Sequence, residues 1–139
     1  MTIRNAEPGD LPWLTAHDPH IAPDELEILL SLRRVLVCED GGAPVGWLRW
    51  NLFWDNTPFL NLIFLLPEYR RRGLGRELLR FWEAAMTAQG YTRLLTSTQS
   101  NEDAQHFYRA LGYTDAGVLL LPGEPAELLF LRELDPPSA

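Results

Sequence analysis

The sequence predicts an α+β domain: a mixed, mostly antiparallel sheet of about seven strands flanked by about four helices. Three observations carry this reading. Extended and helical hydrophobic patterns alternate along the 139 residues as strand, two helices, three strands, helix, strand, helix, two strands. Two Gly-containing turns, Asp40-Gly41-Gly42-Ala43 and Pro122-Gly123-Glu124-Pro125, separate extended runs in the manner of antiparallel hairpins. No repeat or linker interrupts the pattern, so residues 1–139 read as one domain around a single core.

Each element has a local cause. Thr2 to Ala6 is an opening strand, and Pro8-Gly9-Asp10 leads into a helix through about Thr15. A second helix starts at Pro23, with Asp24 and Glu25 where the helix dipole favours acids and Leu26, Leu29 and Leu30 on one face. Val35 to Glu39 and Pro44 to Trp54 are the arms of a hairpin. Phe59 to Leu66 is apolar on both faces, the pattern of a central strand covered on both sides. Leu74, Leu78, Trp82, Ala85 and Met86 recur at helical spacing until Gly90 ends the helix. Arg93 to Thr98 is a strand. Ser100 or Asn101 is read as the N-cap of the next helix, with Ala104, Phe107, Tyr108 and Leu111 on its apolar face and Gly112 past its end. Thr114 to Leu121 and Glu127 to Arg132 close the sheet, and Pro136-Pro137-Ser138-Ala139 reads as a frayed tail.

Composition narrows the function. Hydrophobic content of 46% with 22% charged residues is that of a globular protein. The N-terminus lacks a basic stretch followed by an apolar one, so no signal peptide is read. The longest apolar run contains Asn61 and falls short of the roughly 20 residues of a membrane span. A single cysteine, Cys38, excludes an internal disulfide framework, fits a cytoplasmic location, and reads as a buried structural thiol. A net charge of −7 argues against a nucleic-acid partner. Within that acidic chain, residues 51–100 hold six arginines against four acids, and the flanking segments hold six against fifteen. Positive charge is concentrated around Arg70-Arg71-Arg72-Gly73-Leu74-Gly75-Arg76, as a small polyanionic ligand would require.

That stretch joins an apolar strand to a helix. The unpaired amides of a first helical turn point at a ligand, and the dipole favours an anion there. Gly73 and Gly75 let the backbone curl close to a phosphate, and Arg70, Arg71, Arg72 and Arg76 add mobile donors. A nucleotide-binding P-loop is the rival reading, but the turn lacks Gly-Lys-Ser/Thr and the chain has no lysine.

Arg70, Gly73 and Gly75 match Gln/Arg-x-x-Gly-x-Gly/Ala. Asn101, Ala104, Phe107, Tyr108, Gly112 and Tyr113 match Asn-x-x-Ala-x-x-Phe-Tyr-x-x-x-Gly-Phe/Tyr. With both motifs in order, one helix and one strand apart, the chain resembles the GNAT superfamily of N-acetyltransferases over nearly its whole length. The resemblance implies the acyl-CoA N-acyltransferase fold and acetyl-CoA as cosubstrate, with no metal. The amides from Arg71 to Arg76 would hold the pyrophosphate. Backbone groups near Phe64 and Leu65 would pair with the pantetheine arm, between a fourth and a fifth strand that splay apart in the family, and Asn101 would cap its helix and contact that arm.

Tyr108 is the implied general acid: a phenol protonated at neutral pH that gives the departing thiolate a proton or a hydrogen bond. The alternative is a core tyrosine beside Ala104. Many relatives place a Glu on the fourth strand as base; here that strand carries Asn61. Deprotonation then falls to a water held by Asn61, or to Asp55 at the mouth of the strand. Trp47 and Phe53 are placed on one face of the third strand and Trp50 and Trp54 on the other. Any that line the acceptor side suit an apolar group, with Asp55 available for an amine. His17, Asp18 and His20 lie in a segment that borders the acceptor site in the family; the two histidines, like His106, are read as exposed. The expected acceptor is a small-molecule or peptide amine, with neither nucleic acid nor membrane as partner and homodimerisation left open. A non-catalytic acyl-CoA sensor of the same fold is the alternative function.

Overall fold

The computed structural model describes residues 1–135; the predicted tail at residues 136–139 lies outside them. The elements are β1 (Thr2–Asn5), a 3₁₀ turn (Pro8–Asp10), α1 (Leu11–His17), α2 (Pro23–Ser31), β2 (Val35–Asp40), β3 (Ala43–Phe53) and β4 (Thr57–Leu65). A second 3₁₀ turn (Pro67–Tyr69), α3 (Leu74–Ala88), β5 (Arg93–Gln99), α4 (Ala104–Ala110), β6 (Thr114–Leu119) and β7 (Glu127–Glu133) follow. The strands form a seven-stranded sheet in the order β1-β2-β3-β4-β5-β7-β6. β4 and β5 pair in parallel, whereas β1–β2, β2–β3, β5–β7 and β6–β7 are antiparallel. This is the mixed α+β architecture the sequence predicts.

The chain divides into two compact units, Met1–Asn51 with Leu62–Phe81, and Leu52–Asn61 with Trp82–Ala139. In the first, Leu14 of α1, Leu26 and Leu29 of α2, Val35 and Val37 of β2 and Trp47 of β3 form the buried core. Arg4 ties three elements together, with Nη1 and Nη2 on Asp10 (2.7 and 2.9 Å) and Nε on Glu39. Cys38 is buried here, and burial pushes its thiol above the ordinary range, as befits a structural cysteine. Gly46 of β3 is the close-packed point: a Cβ there would stand 2.8 Å from the Phe64 carbonyl oxygen and 2.5 Å from Leu65 Cδ2.

The second unit packs α4 onto β7 through aromatic contacts. The Tyr108 ring lies 6.0 Å from Phe130 and 5.5 Å from Tyr113. The Tyr113 hydroxyl donates to Glu83 Oε2 (2.7 Å), and Arg132 reaches across to donate from Nη1 to the Leu111 carbonyl (2.7 Å). Gly112, between them, has φ of +94°, and a Cβ on it would collide with Arg132 Nη1. Gly112→Ala therefore combines left-handed strain with loss of a charged hydrogen bond, together about 3 kcal/mol. Thermal unfolding should show a melting temperature lowered by about 10 °C.

Three local expectations are corrected. β3 ends at Phe53, so Trp54 belongs to a turn and the face assignment for it fails; Trp47 and Trp50 are both buried while Phe53 and Trp54 are exposed. β4 is not covered on both sides: Leu60 and Leu65 are buried, Phe59, Leu62, Ile63 and Phe64 are half-buried, and Asn61 is exposed. A continuous apolar run cannot distinguish complete from partial cover on each face. Asn101 and Ser100 do not cap α4, which starts at Ala104 after a looser turn. The Gln105 side chain secures that turn instead, donating from Nε2 to the Ser100 and Glu102 carbonyls (2.9 and 3.0 Å).

Candidate active site

The first unit contains the glycine turn. Arg71 and Gly73 both take left-handed backbone, with φ of +61° and +79°, and the chain then enters α3. The Glu77 amide is the one that closes on the Gly73 carbonyl (3.1 Å), which places Leu74, Gly75 and Arg76 in the turn whose amides have no partner within the helix. Nothing lies within 4 Å of where a Gly73 Cβ would stand, so the turn is open on that side. Successive amides in this geometry make an anion cradle at the positive end of a 15-residue helix.

Arg70 differs from its predicted role as a mobile donor. Its Nε donates to the Leu65 carbonyl (3.0 Å) and its guanidinium lies over the Phe64 ring, 4.9 Å from the centroid. It fastens the turn to the end of β4. Arg72 rests over Tyr69 at 5.4 Å, while Arg71 and Arg76 are exposed. Phe64 also packs on Trp47, with centroids 4.9 Å apart, and the Leu66 amide donates to the Val45 carbonyl (2.9 Å). The Leu65 carbonyl, predicted as one of the free backbone groups, is thus already engaged.

The second unit places Tyr108 at the end of the β4–β5 ladder. That ladder pairs Phe59 with Leu95 and Leu60 with Thr96. The Thr96 hydroxyl donates to the Leu60 carbonyl (3.0 Å), which leaves its oxygen as an acceptor beside the Tyr108 hydroxyl. Tyr108 is 5% exposed, and burial pushes its phenol up to about 12. The group is a firmly held proton. Asn61 follows Leu60 directly on β4 with its side chain exposed, so Tyr108, Thr96 and the Asn61 segment are brought together.

Asp55 sits exposed in the β3–β4 turn, and Asn101 is exposed in the turn before α4. His17, His20 and His106 are exposed as read, although His17 also stacks on Trp13 at 4.2 Å and donates from Nδ1 to the Trp13 carbonyl (2.7 Å). Among the described residues no group of His, Cys, Asp and Glu is disposed to hold a metal, and no helix is long and apolar enough to cross a membrane.

A buried polar centre in the first unit escaped the sequence reading. Asp18, 2% exposed, accepts from Arg49 Nε (2.8 Å), the Trp47 indole (3.1 Å) and the His20 amide (3.1 Å). Burial alone would raise its carboxyl; Arg49 and the other donors outweigh burial and hold it below the usual range. The pair fixes the segment after α1 onto β3. A charged Arg49 between Trp47 and Trp50 in a buried strand was the available signal that a partner must exist.

A family model described as Acetyltransferase (GNAT) family matches residues 3–113. No curated protein sequence matches the chain. Among solved structures, Ard1 from Thermoplasma volcanium superposes with a TM-score of 0.82 at 17% identity, covering 96% of this chain and 97% of that one. The ribosomal-protein-S18-alanine N-acetyltransferase from Escherichia coli gives 0.79 at 20% identity, covering 99% and 96%. The Salmonella typhimurium protein yncA, solved with its cofactor acetyl-CoA, gives 0.80 at 21% identity, covering 100% and 96%.

Proposed function

The chain belongs to the acetyltransferase (GNAT) family, and on that premise we propose that it moves the acetyl group of acetyl-CoA to an amine by direct attack. The observation that carries the reading is the left-handed Arg71–Gly73 turn at the N-terminus of α3, with the amides of Leu74, Gly75 and Arg76 open to an anion. A pyrophosphate fits this cradle in charge and shape. Arg71 and Arg76 would reach its outer charges, and Arg70 would act by fixing the turn to β4.

Tyr108 would serve the leaving group. A thiol titrates near 8.5, so complete proton transfer from a phenol at about 12 is uphill. The hydroxyl therefore acts first as a hydrogen-bond donor to charge developing on sulfur, and as the tetrahedral intermediate collapses the proton it gives to sulfur is replaced by the one that the attacking nitrogen loses. Asn61 is no base; its amide would hold a water that takes the ammonium proton of the acceptor. Acetyl-CoA turnover assayed by thiol release across small amines and short peptides tests the function. Release above the no-amine rate with at least one acceptor is expected. A thermal shift with acetyl-CoA but no release with any acceptor would favour the sensor alternative.

The relay also makes a pH prediction. Asn61→Ala should cost about tenfold in turnover below the acceptor's amine pKa and little above it, because only the ammonium form needs the relay. A uniform loss across pH would assign Asn61 to strand packing.

A further inference from the structure

The turn joining β3 to β4 contradicts the preferences of its own residues. The Asn56 amide donates to the Phe53 carbonyl (3.2 Å), and the two residues between, Trp54 and Asp55, have φ of +55° and +64°. A two-residue turn of this kind favours Asn-Gly. A bulky side chain with left-handed φ is an outlier, and such strain gathers at binding sites. Packing gives no compensation: Trp54 is 75% exposed. Its ring lies 4.6 Å from Phe53, which stacks on Phe59 at 5.9 Å. Asp55 is exposed beside them and forms no ion pair among the described residues. No arginine occurs between Arg49 and Arg70, and the chain has no lysine.

Aromatic faces attract cations through their quadrupole, and an adjacent carboxylate adds charge complementarity. We propose that Phe53, Trp54 and Asp55 bind an organic cation, an ammonium or guanidinium on an extended stem. Resting on the acetyl-transfer reading, that cation is the remote end of the acceptor. Asp55 lies in the turn before β4, and Asn61 is four residues along that strand from Thr57 at about 3.3 Å per residue, so the two stand about 13 Å apart or more. The group held at Asp55 is therefore a second cationic centre, not the nitrogen that reacts. The acceptor class is an elongated amine with two separated positive charges.

Two probes represent its possible sources: spermine for a free polyamine, and the peptide Ser-Ala-Ala-Ala-Ala-Arg-amide for a protein terminus. Titration of the protein followed by the Trp54 indole N–H signal should saturate with at least one probe, and which one responds identifies the source. Trp54→Asn and Asp55→Asn, the former followed by calorimetry, should weaken that binding about fivefold to tenfold. Trp54→Asn should also raise the melting temperature by relieving the turn, where loss of a merely structural tryptophan would lower it. In turnover, either substitution should raise KM for the responding probe several-fold more than KM for propylamine, which has one charge. Saturable binding without turnover of any amine would uphold the cation site and detach it from acetyl transfer. No response to either probe overturns the proposal. So does a lowered melting temperature in Trp54→Asn, or a dimer in light scattering that this substitution dissociates, which would make the turn a contact between copies.

Discussion

Tyr108→Phe is expected to keep its fold and its acetyl-CoA affinity and to lose about 10²–10⁴-fold in kcat, or roughly 3–5 kcal/mol of the barrier. The ring contacts with Phe107, Tyr113 and Phe130 survive the change. The Thr96 hydroxyl keeps its bond to the Leu60 carbonyl, so no buried donor is orphaned. The melting temperature should accordingly stay within a few degrees. Because burial holds the wild-type phenol near 12, its ionisation should not limit kcat anywhere between neutral pH and about pH 11. A loss of only two- to threefold would mean that water protonates the leaving thiolate and that Tyr108 is a core residue.

Gly75→Asp should abolish the thermal shift that acetyl-CoA gives the wild type. Binding to the folded state raises stability by RT ln(1 + [L]/Kd), about 2.7 kcal/mol at a hundredfold excess over Kd. A carboxylate in the first turn of α3 sets a like charge against the pyrophosphate where the amides of Leu74, Gly75 and Arg76 converge. The same carboxylate suits the helix dipole, so the apo protein should unfold no earlier than the wild type. That contrast separates a lost site from a lost fold. An undiminished shift in the variant would remove the turn from the coenzyme site.

What the sequence made legible was local. Gly73 and Gly75 read as an anion turn because a strand, glycines and a helix start follow one another within a few residues. α2 and α3 declared themselves through Pro23 and through the recurrence from Leu74 to Met86. The Asp18–Arg49 pair did not, because it joins residues 31 apart and only the folded chain chooses Asp18 over the other acids. The end of β3 was misplaced by one residue, since nothing in Phe53-Trp54-Asp55 announces a left-handed tryptophan. The start of α4 was misplaced because two good capping residues, Ser100 and Asn101, precede a turn held by Gln105. Of the candidate site, residue types were readable. Their commitments were not: Arg70 to the Leu65 carbonyl and the Thr96 hydroxyl to the Leu60 carbonyl are choices made in three dimensions.

Gly46 bears on how this scaffold could be re-engineered. The Phe64 carbonyl and the Leu65 side chain occupy the space any Cβ at position 46 would need. Every substitution there displaces the segment of β4 to which Arg70 anchors the glycine turn, although residue 46 is no candidate for touching a ligand. A mutant library aimed at a new acyl donor should therefore hold position 46 fixed. A library aimed at a new acceptor can vary positions 53 and 55 and enrich position 54 in Gly, Asn and Asp, because that turn lies outside the packed core and those residues relieve its left-handed backbone.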